Sequence, residues 1–177
     1  MRSRDKEKRC FEHEATKIRA AQPEDRAELS KLVIQNHLAL SNDCPEEWHS
    51  QFDDVAVDFA HLRDAQQFVQ GYYHVAESNG RLVGAAGVTP KAGGIWNLTA
   101  VTIAHSHRRK GLGKKLVRLA IEDARSAGAV GLELVTLLEL MEPAWQLYEK
   151  VGFKKVKEEV VVQQPRCMTV LWYAIEL

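Results

Sequence analysis

Arg108-Arg109-Lys110-Gly111-Leu112-Gly113 sets three consecutive cations before two glycines, a combination suited to gripping a diphosphate. Glycine lets the backbone turn tightly and approach an anion, and a helix starting there presents unpaired N–H groups and the positive end of its dipole. Arg108, Arg109, Lys110, Lys114 and Lys115 add positive charge around the turn, although side chains this long also reach into screening solvent. On these six residues alone, a solvated basic loop, a nuclear-localisation run and a nucleic-acid patch remain open. The run lacks the G-x-G-x-x-G of a dinucleotide site and the G-x-x-x-x-G-K-[ST] of a nucleoside triphosphate loop, which argues against both.

The elements around the turn have to position it. Ile95 to Ile103 is strand-like and leads into it, and Gly111 to Ala127 reads as the helix that follows, with Leu112, Leu116, Leu119, Ala120 and Ala124 along one face. Tyr72 to Glu77, Arg81 to Val88 and Ile95 to Ile103 predict an antiparallel meander, because Asn79-Gly80 tolerates the positive φ of a tight hairpin. Upstream, Thr16 to Ala20 reads as a strand and Glu24 to Leu40 as a helix packing on Ala27, Leu29, Leu32, Val33 and Leu38. Glu46 to Gln70, acidic and carrying Trp48, Phe52, Phe59 and Phe68, suggests one or two short helices that form a lid or wall. Downstream, Gly131 to Leu137 is an apolar run broken only by Glu133, the pattern of a central strand covered on both faces. Pro143 and Gly152 bound a second helix over Glu142 to Val151, and Val156 to Gln163 with Met168 to Glu176 predict closing paired strands.

A chain of 177 residues suits one domain, placed at 15–177 behind a flexible tail at 1–14. With 24 basic and 24 acidic side chains, the charge balance favours neither nucleic acid nor an anionic membrane. No apolar run approaches the roughly 20 residues of a membrane-spanning helix, and the charged start argues against a secretory signal. Cys10, Cys44 and Cys167 are odd in number and far apart, with no zinc or redox pair, so a reducing, cytoplasmic setting is expected. The histidines and acids show no metal-binding spacing, so no metal is expected.

Two stretches together resemble a known family. Ala100 to Ile121, AVTIAHSHRRKGLGKKLVRLAI, resembles motif A of the GNAT (GCN5-related N-acetyltransferase) superfamily: a strand, then [RQ]-x-x-G-x-[GA], then a helix. Ala144 to Phe153, AWQLYEKVGF, resembles its motif B, A-x-x-L/F-Y-x-x-x-G-F. The resemblance implies an α/β fold: a mixed, mostly antiparallel sheet of about seven strands, splayed between the fourth and fifth and flanked by about four helices. It also implies acetyl-CoA as co-substrate, with Val101, Thr102 and Ile103 along pantetheine and Arg108, Arg109, Lys110, Gly111, Leu112, Gly113 and Lys114 around the diphosphate. The Val101 N–H would polarise the thioester carbonyl, and an amine would attack directly to give an oxyanion that fixed donors stabilise. Tyr148 falls on the motif B tyrosine that serves the departing thiolate in many relatives. A phenol of reference pKa ~10 stays neutral at working pH and can donate that proton; the alternative is that Tyr148 is a core residue beside Trp145 and Leu147.

Where some relatives carry a glutamate base on the fourth strand, this chain has Asn97, and an amide cannot take the proton. Glu133, Glu77, Asp53, His37 and His49 are candidates by type alone. Met141 and His105 stand where the motifs often have asparagine and proline. The expected acceptor is a small-molecule amine, because the acidic, aromatic segment from Glu46 to Phe68 would wall a pocket for a cation. Acetylation of a protein amine and non-catalytic acyl-CoA sensing are the alternatives. The oligomeric state is open, with a dimer allowed.

Overall fold

The computed structural model describes residues 16–42, 70–138, 141–163 and 166–177. The expected tail at 1–14 and the lid or wall segment up to residue 69 lie outside them. The elements run β1 (Lys17–Ala20), α1 (Arg26–Asn42), β2 (Tyr72–Ser78), β3 (Arg81–Pro90), β4 (Ile95–Ile103), α2 (Leu112–Ser126), β5 (Gly131–Leu137), α3 (Glu142–Lys150), β6 (Lys154–Gln163) and β7 (Arg166–Glu176). They form one seven-stranded sheet in the order β1-β2-β3-β4-β5-β7-β6. Every neighbouring pair is antiparallel except β4 with β5. The described residues hold three α-helices where about four were expected.

Two cores cover the sheet. Against one face, α2 buries Leu112, Leu116, Val117, Ala120, Ile121 and Ala124 with Leu98, Leu132, Leu134, Tyr148, Phe153, Leu171 and Tyr173. Leu119, expected on that face, is only half-buried at its margin. On the other face, Leu29 and Val33 of α1 pack on Tyr73, Val75, Leu82, Ala85 and Ala100. Glu28 Oε1 of α1 accepts a hydrogen bond from the Leu82 N–H at 3.0 Å, fixing the helix along β3. At the sheet edge, Arg19 of β1 donates to both Asp25 oxygens and to Glu77, and these bonds hold the Asp25 carboxyl below its ordinary range.

Where β4 passes β3, Ala85 faces Thr102 but Gly87 faces Thr99, so β4 carries one extra residue. Ala100 absorbs it at φ 54°, a left-handed conformation that costs an L-residue roughly 1–2 kcal/mol and is offset by burial of its methyl group under α1. A bulge bends the strand that contains it. Accordingly β4 pairs with β5 only at Ile95↔Gly131, Trp96↔Leu132 and Asn97↔Glu133; beyond these rungs, 98–103 and 134–137 splay apart as expected for strands four and five.

β5 departs from expectation on one face. Leu132, Leu134 and Thr136 are buried towards α2, whereas Val135 on the α1 side is 57% exposed. The alternation was hidden because the outward residue is itself apolar.

Three of the four tyrosines lie in these cores. Burial pushes Tyr73 up to about 12. Burial, with a hydrogen bond donated to Glu149, does the same for Tyr173, and burial alone raises Tyr148 further. Their folded values exceed the unfolded ~10, so this contribution to stability is intact below ~10 and is lost as pH rises from there through the folded values. A spectrophotometric titration should therefore show most phenolate absorbance arriving with cooperative unfolding above pH ~11, whereas in denaturant all four ionise near ~10. Three phenols ionising near ~10 without unfolding would contradict this packing.

Candidate functional site

The site is built where β4 ends. The Ala104 N–H donates to the Val83 carbonyl at 2.8 Å, in register with the β3–β4 ladder. Alternation along an antiparallel pair then turns the backbone groups of Thr102 toward β3 and those of Val101 and Ile103 toward the splay. The side chains of Val101 and Ile103 pack on the α2 side. Thr102 is the exception among the expected pantetheine residues. Its side chain is buried on the α1 side, where Asn36 Nδ2 donates to its Oγ1 at 2.5 Å, and its backbone is committed to Ala85. The structure thus brings Val101 and Ile103, but not Thr102, to the gap.

After a 3-10 turn at His105–His107, the chain takes positive φ at Arg109 (64°) and Gly111 (77°). Gly111 is the N-cap of α2, without a capping side chain. The first α-helical bond there runs from the Lys115 N–H to the Gly111 carbonyl at 3.2 Å, which leaves the N–H groups of Leu112, Gly113 and Lys114 directed out of the helix end. A Cβ added at Gly111 would meet no atom within 4 Å, so the turn is open to an approaching group. One added at Gly113 would lie 3.2 Å from Leu147 Cδ2 and 3.7 Å from Ile103 Cγ1. The first turn of α2 is therefore packed between α3 and the gap-lining end of β4, so closely that even a methyl group at 113 would require the Leu147 side chain to give by a few tenths of an ångström.

Arg108, Arg109, Lys110 and Lys114 are exposed around the turn. Arg108 folds back, its Nε donating to the gap-facing Ile103 carbonyl at 3.1 Å. A separate cleft of about 230 Å³ lies on the β1 side of the loop, lined by Thr16, Ile18, His107, Lys110, Leu112 and Lys115; it is not the gap between β4 and β5. The observations that bear on a diphosphate carrier are the open glycine cradle, the uncapped N–H groups and the surrounding cations, and this donor set fits one.

Tyr148 follows Leu147 on α3 and is 6% exposed. Its ring meets Phe153 edge-on at 6.0 Å and Tyr173 at 6.4 Å, which fixes the orientation of the phenol, and burial keeps that phenol protonated.

Of the five residues considered as base by type, Glu77 is tied to Arg19 at the far edge of the sheet. Glu133 stands opposite Asn97 at the last paired rung, where Lys91 Nζ meets its carboxylate. His49, Asp53 and the side chain of His37 lie outside the described residues. Sequence reasoning missed Asn36, the Ala100 bulge and Lys91. Asn36 had a signal: it continues the buried Leu29, Val33 face of α1 at helical spacing, where a polar residue calls for a partner. Among the described residues, no group of three or more His, Cys, Asp or Glu is arranged to hold a metal, and no helix is long and apolar enough to cross a membrane.

Residues 35–153 match the family model described as the Acetyltransferase (GNAT) family. The protein named Probable N-acetyltransferase camello from Xenopus tropicalis is 35% identical over 108 residues, covering 57% of this chain and 48% of that protein. N-acetyltransferase 8 of Rattus norvegicus is 35% identical over 91 residues, covering 49% and 40%. The chain thus spans about half the length, or less, of these curated relatives. Among solved structures, yncA from Salmonella typhimurium, determined with acetyl-CoA, superposes with a TM-score of 0.69 at 21% identity over 92% of this chain and 94% of that one.

Proposed function

The chain belongs to the acetyltransferase (GNAT) family, and from that premise we propose that it is an N-acetyltransferase that moves acetyl from acetyl-CoA to the primary amine of a small molecule. The observation that carries the reading is the end of β4–β5 pairing after Asn97↔Glu133, which leaves gap-facing backbone leading straight into the glycine-capped start of α2. That yncA was solved with acetyl-CoA supports the choice of donor.

Bound acetyl-CoA supplies an activated thioester that an uncharged amine can attack directly. The N–H groups of Leu112, Gly113 and Lys114 hold the diphosphate, with Arg108, Arg109, Lys110 and Lys114 neutralising its charge. Val101 and Ile103 align the pantetheine as a short added strand, and the Val101 N–H draws charge from the carbonyl oxygen. As the N–C bond forms and the C–S bond breaks, the Tyr148 phenol gives its proton to the departing sulfur. The proton released by the attacking nitrogen passes to solvent, from which the phenol is restored. Arg108, bonded to the Ile103 carbonyl, must release it for pantetheine to pair there.

The test is release of CoA thiol from acetyl-CoA across a panel of small amines and peptides, alongside the melting temperature with and without acetyl-CoA. The expected result is a rise in melting temperature and turnover fastest on small amines. Protection by acetyl-CoA without turnover of any amine would replace this reading with acyl-CoA sensing, and turnover confined to peptides would move the acceptor to protein.

A further inference from the structure

If acetyl transfer proceeds as proposed, the acceptor must reach the thioester from the face of the sheet that the donor leaves clear. The donor's contacts belong to α2, α3 and the strand edges of the gap, so the free approach is from the α1 side. On that side β4 presents Ala100 and Thr102 beneath α1, the latter bonded to Asn36. β5 presents Glu133 and Val135. Val135 is 57% exposed and lies across from Trp172 of β7, which in turn lies across from Lys157 of β6. This row crosses three strands on one face. Its outer end is closed by Lys157 Nζ, 4.4 Å from the centre of the Trp172 ring and paired with Glu159. Its other end is the gap itself.

We propose that Val135 and Trp172 form the acceptor-side wall of the site and select an amine attached to an apolar, preferably aromatic, body. The proposal rests on the N-acetyltransfer reading and adds the acceptor's class to it. Three features argue for that class. A valine and an indole side by side are best covered by apolar surface, which leaves water on binding. The flat pairing of neighbouring strands offers a ring an extended contact. The carboxylates flanking the wall are already engaged, Glu159 by Lys157 and Glu133 by Lys91, so neither is free to hold a second or third positive charge on the acceptor, and a monoamine is preferred to a polyamine.

The experiment compares 2-phenylethylamine, ethanolamine and spermidine as acceptors, with acetyl-CoA as donor, in the wild type, Val135→Asn and Val135→Leu. We expect kcat/KM for 2-phenylethylamine to exceed that for ethanolamine by at least about tenfold, with spermidine lowest. In Val135→Asn that preference should shrink about five- to tenfold, and in Val135→Leu it should hold or widen. Val135 is largely exposed, and retention of the acetyl-CoA-induced rise in melting temperature shows that each variant is folded with its donor site intact. Equal use of the three amines, a preference for spermidine, or an equal loss on every amine in Val135→Asn would overturn the proposal while leaving acetyl transfer standing. Absence of any acetyl-CoA protection in the wild type would remove the reading beneath it.

Discussion

Gly111→Glu should abolish the rise in melting temperature that acetyl-CoA gives the wild-type chain. At a hundredfold excess over Kd, binding to the folded state alone contributes about 2.7 kcal/mol, roughly 5–10 °C for a domain of this size. Gly111 takes φ 77° and faces open space, so a new Cβ meets none of the protein's own atoms within 4 Å. What it meets is the anion that the uncapped N–H groups would otherwise hold. A carboxylate at an N-cap is itself favoured by the helix dipole, so it competes for the same donors as well as repelling the diphosphate. Backbone strain at positive φ will lower the melting temperature of the free protein by a few degrees, since it costs roughly 1–2 kcal/mol. Gly111→Ala isolates this, because alanine brings the same strain without the charge and should keep much of the acetyl-CoA effect. An undiminished shift in Gly111→Glu would take the diphosphate away from this turn.

That turn was legible in the sequence because its requirements are local: a glycine for the positive φ, and a helix register that starts at the next residue. The helices and most strands were legible for the same reason, through period and punctuation. The extra residue in β4 was not, because alanine has no preference for the left-handed region and nothing around Ala100 marks it. The strain there is imposed by α1 packing on one side and β3 pairing on the other. The splay thus reached the reading only through family resemblance, though it follows physically from that bulge. Thr102 shows another limit. The family resemblance places it along pantetheine with its two neighbours, and no local pattern announces that alternation turns its side chain to the opposite face and into a bond with Asn36. β5 was read as covered on both sides because valine at 135 continues an apolar run. Only the tertiary position of α1, lying over β3 and β4, exposes it.

Tyr148→Phe should lower kcat by about a hundredfold while changing the Kd for acetyl-CoA by less than about twofold. The estimate sits at the low end for general acids because a thiol of reference pKa ~8.5 leaves without full protonation. The ring contacts with Phe153 and Tyr173 survive the substitution, so melting temperature should hardly move, which separates this outcome from a packing role. A purely structural tyrosine would give unaltered turnover on a good acceptor. The pH dependence adds a second discriminator. Burial raises the phenol above its ordinary range, so wild-type kcat should show no alkaline fall from Tyr148 up to pH ~10, where an exposed phenol would already be half ionised. The same burial that makes Tyr148 resemble a core residue is what would keep its proton available to the sulfur, so the two roles are one arrangement, and loss of the hydroxyl is the change that tells them apart.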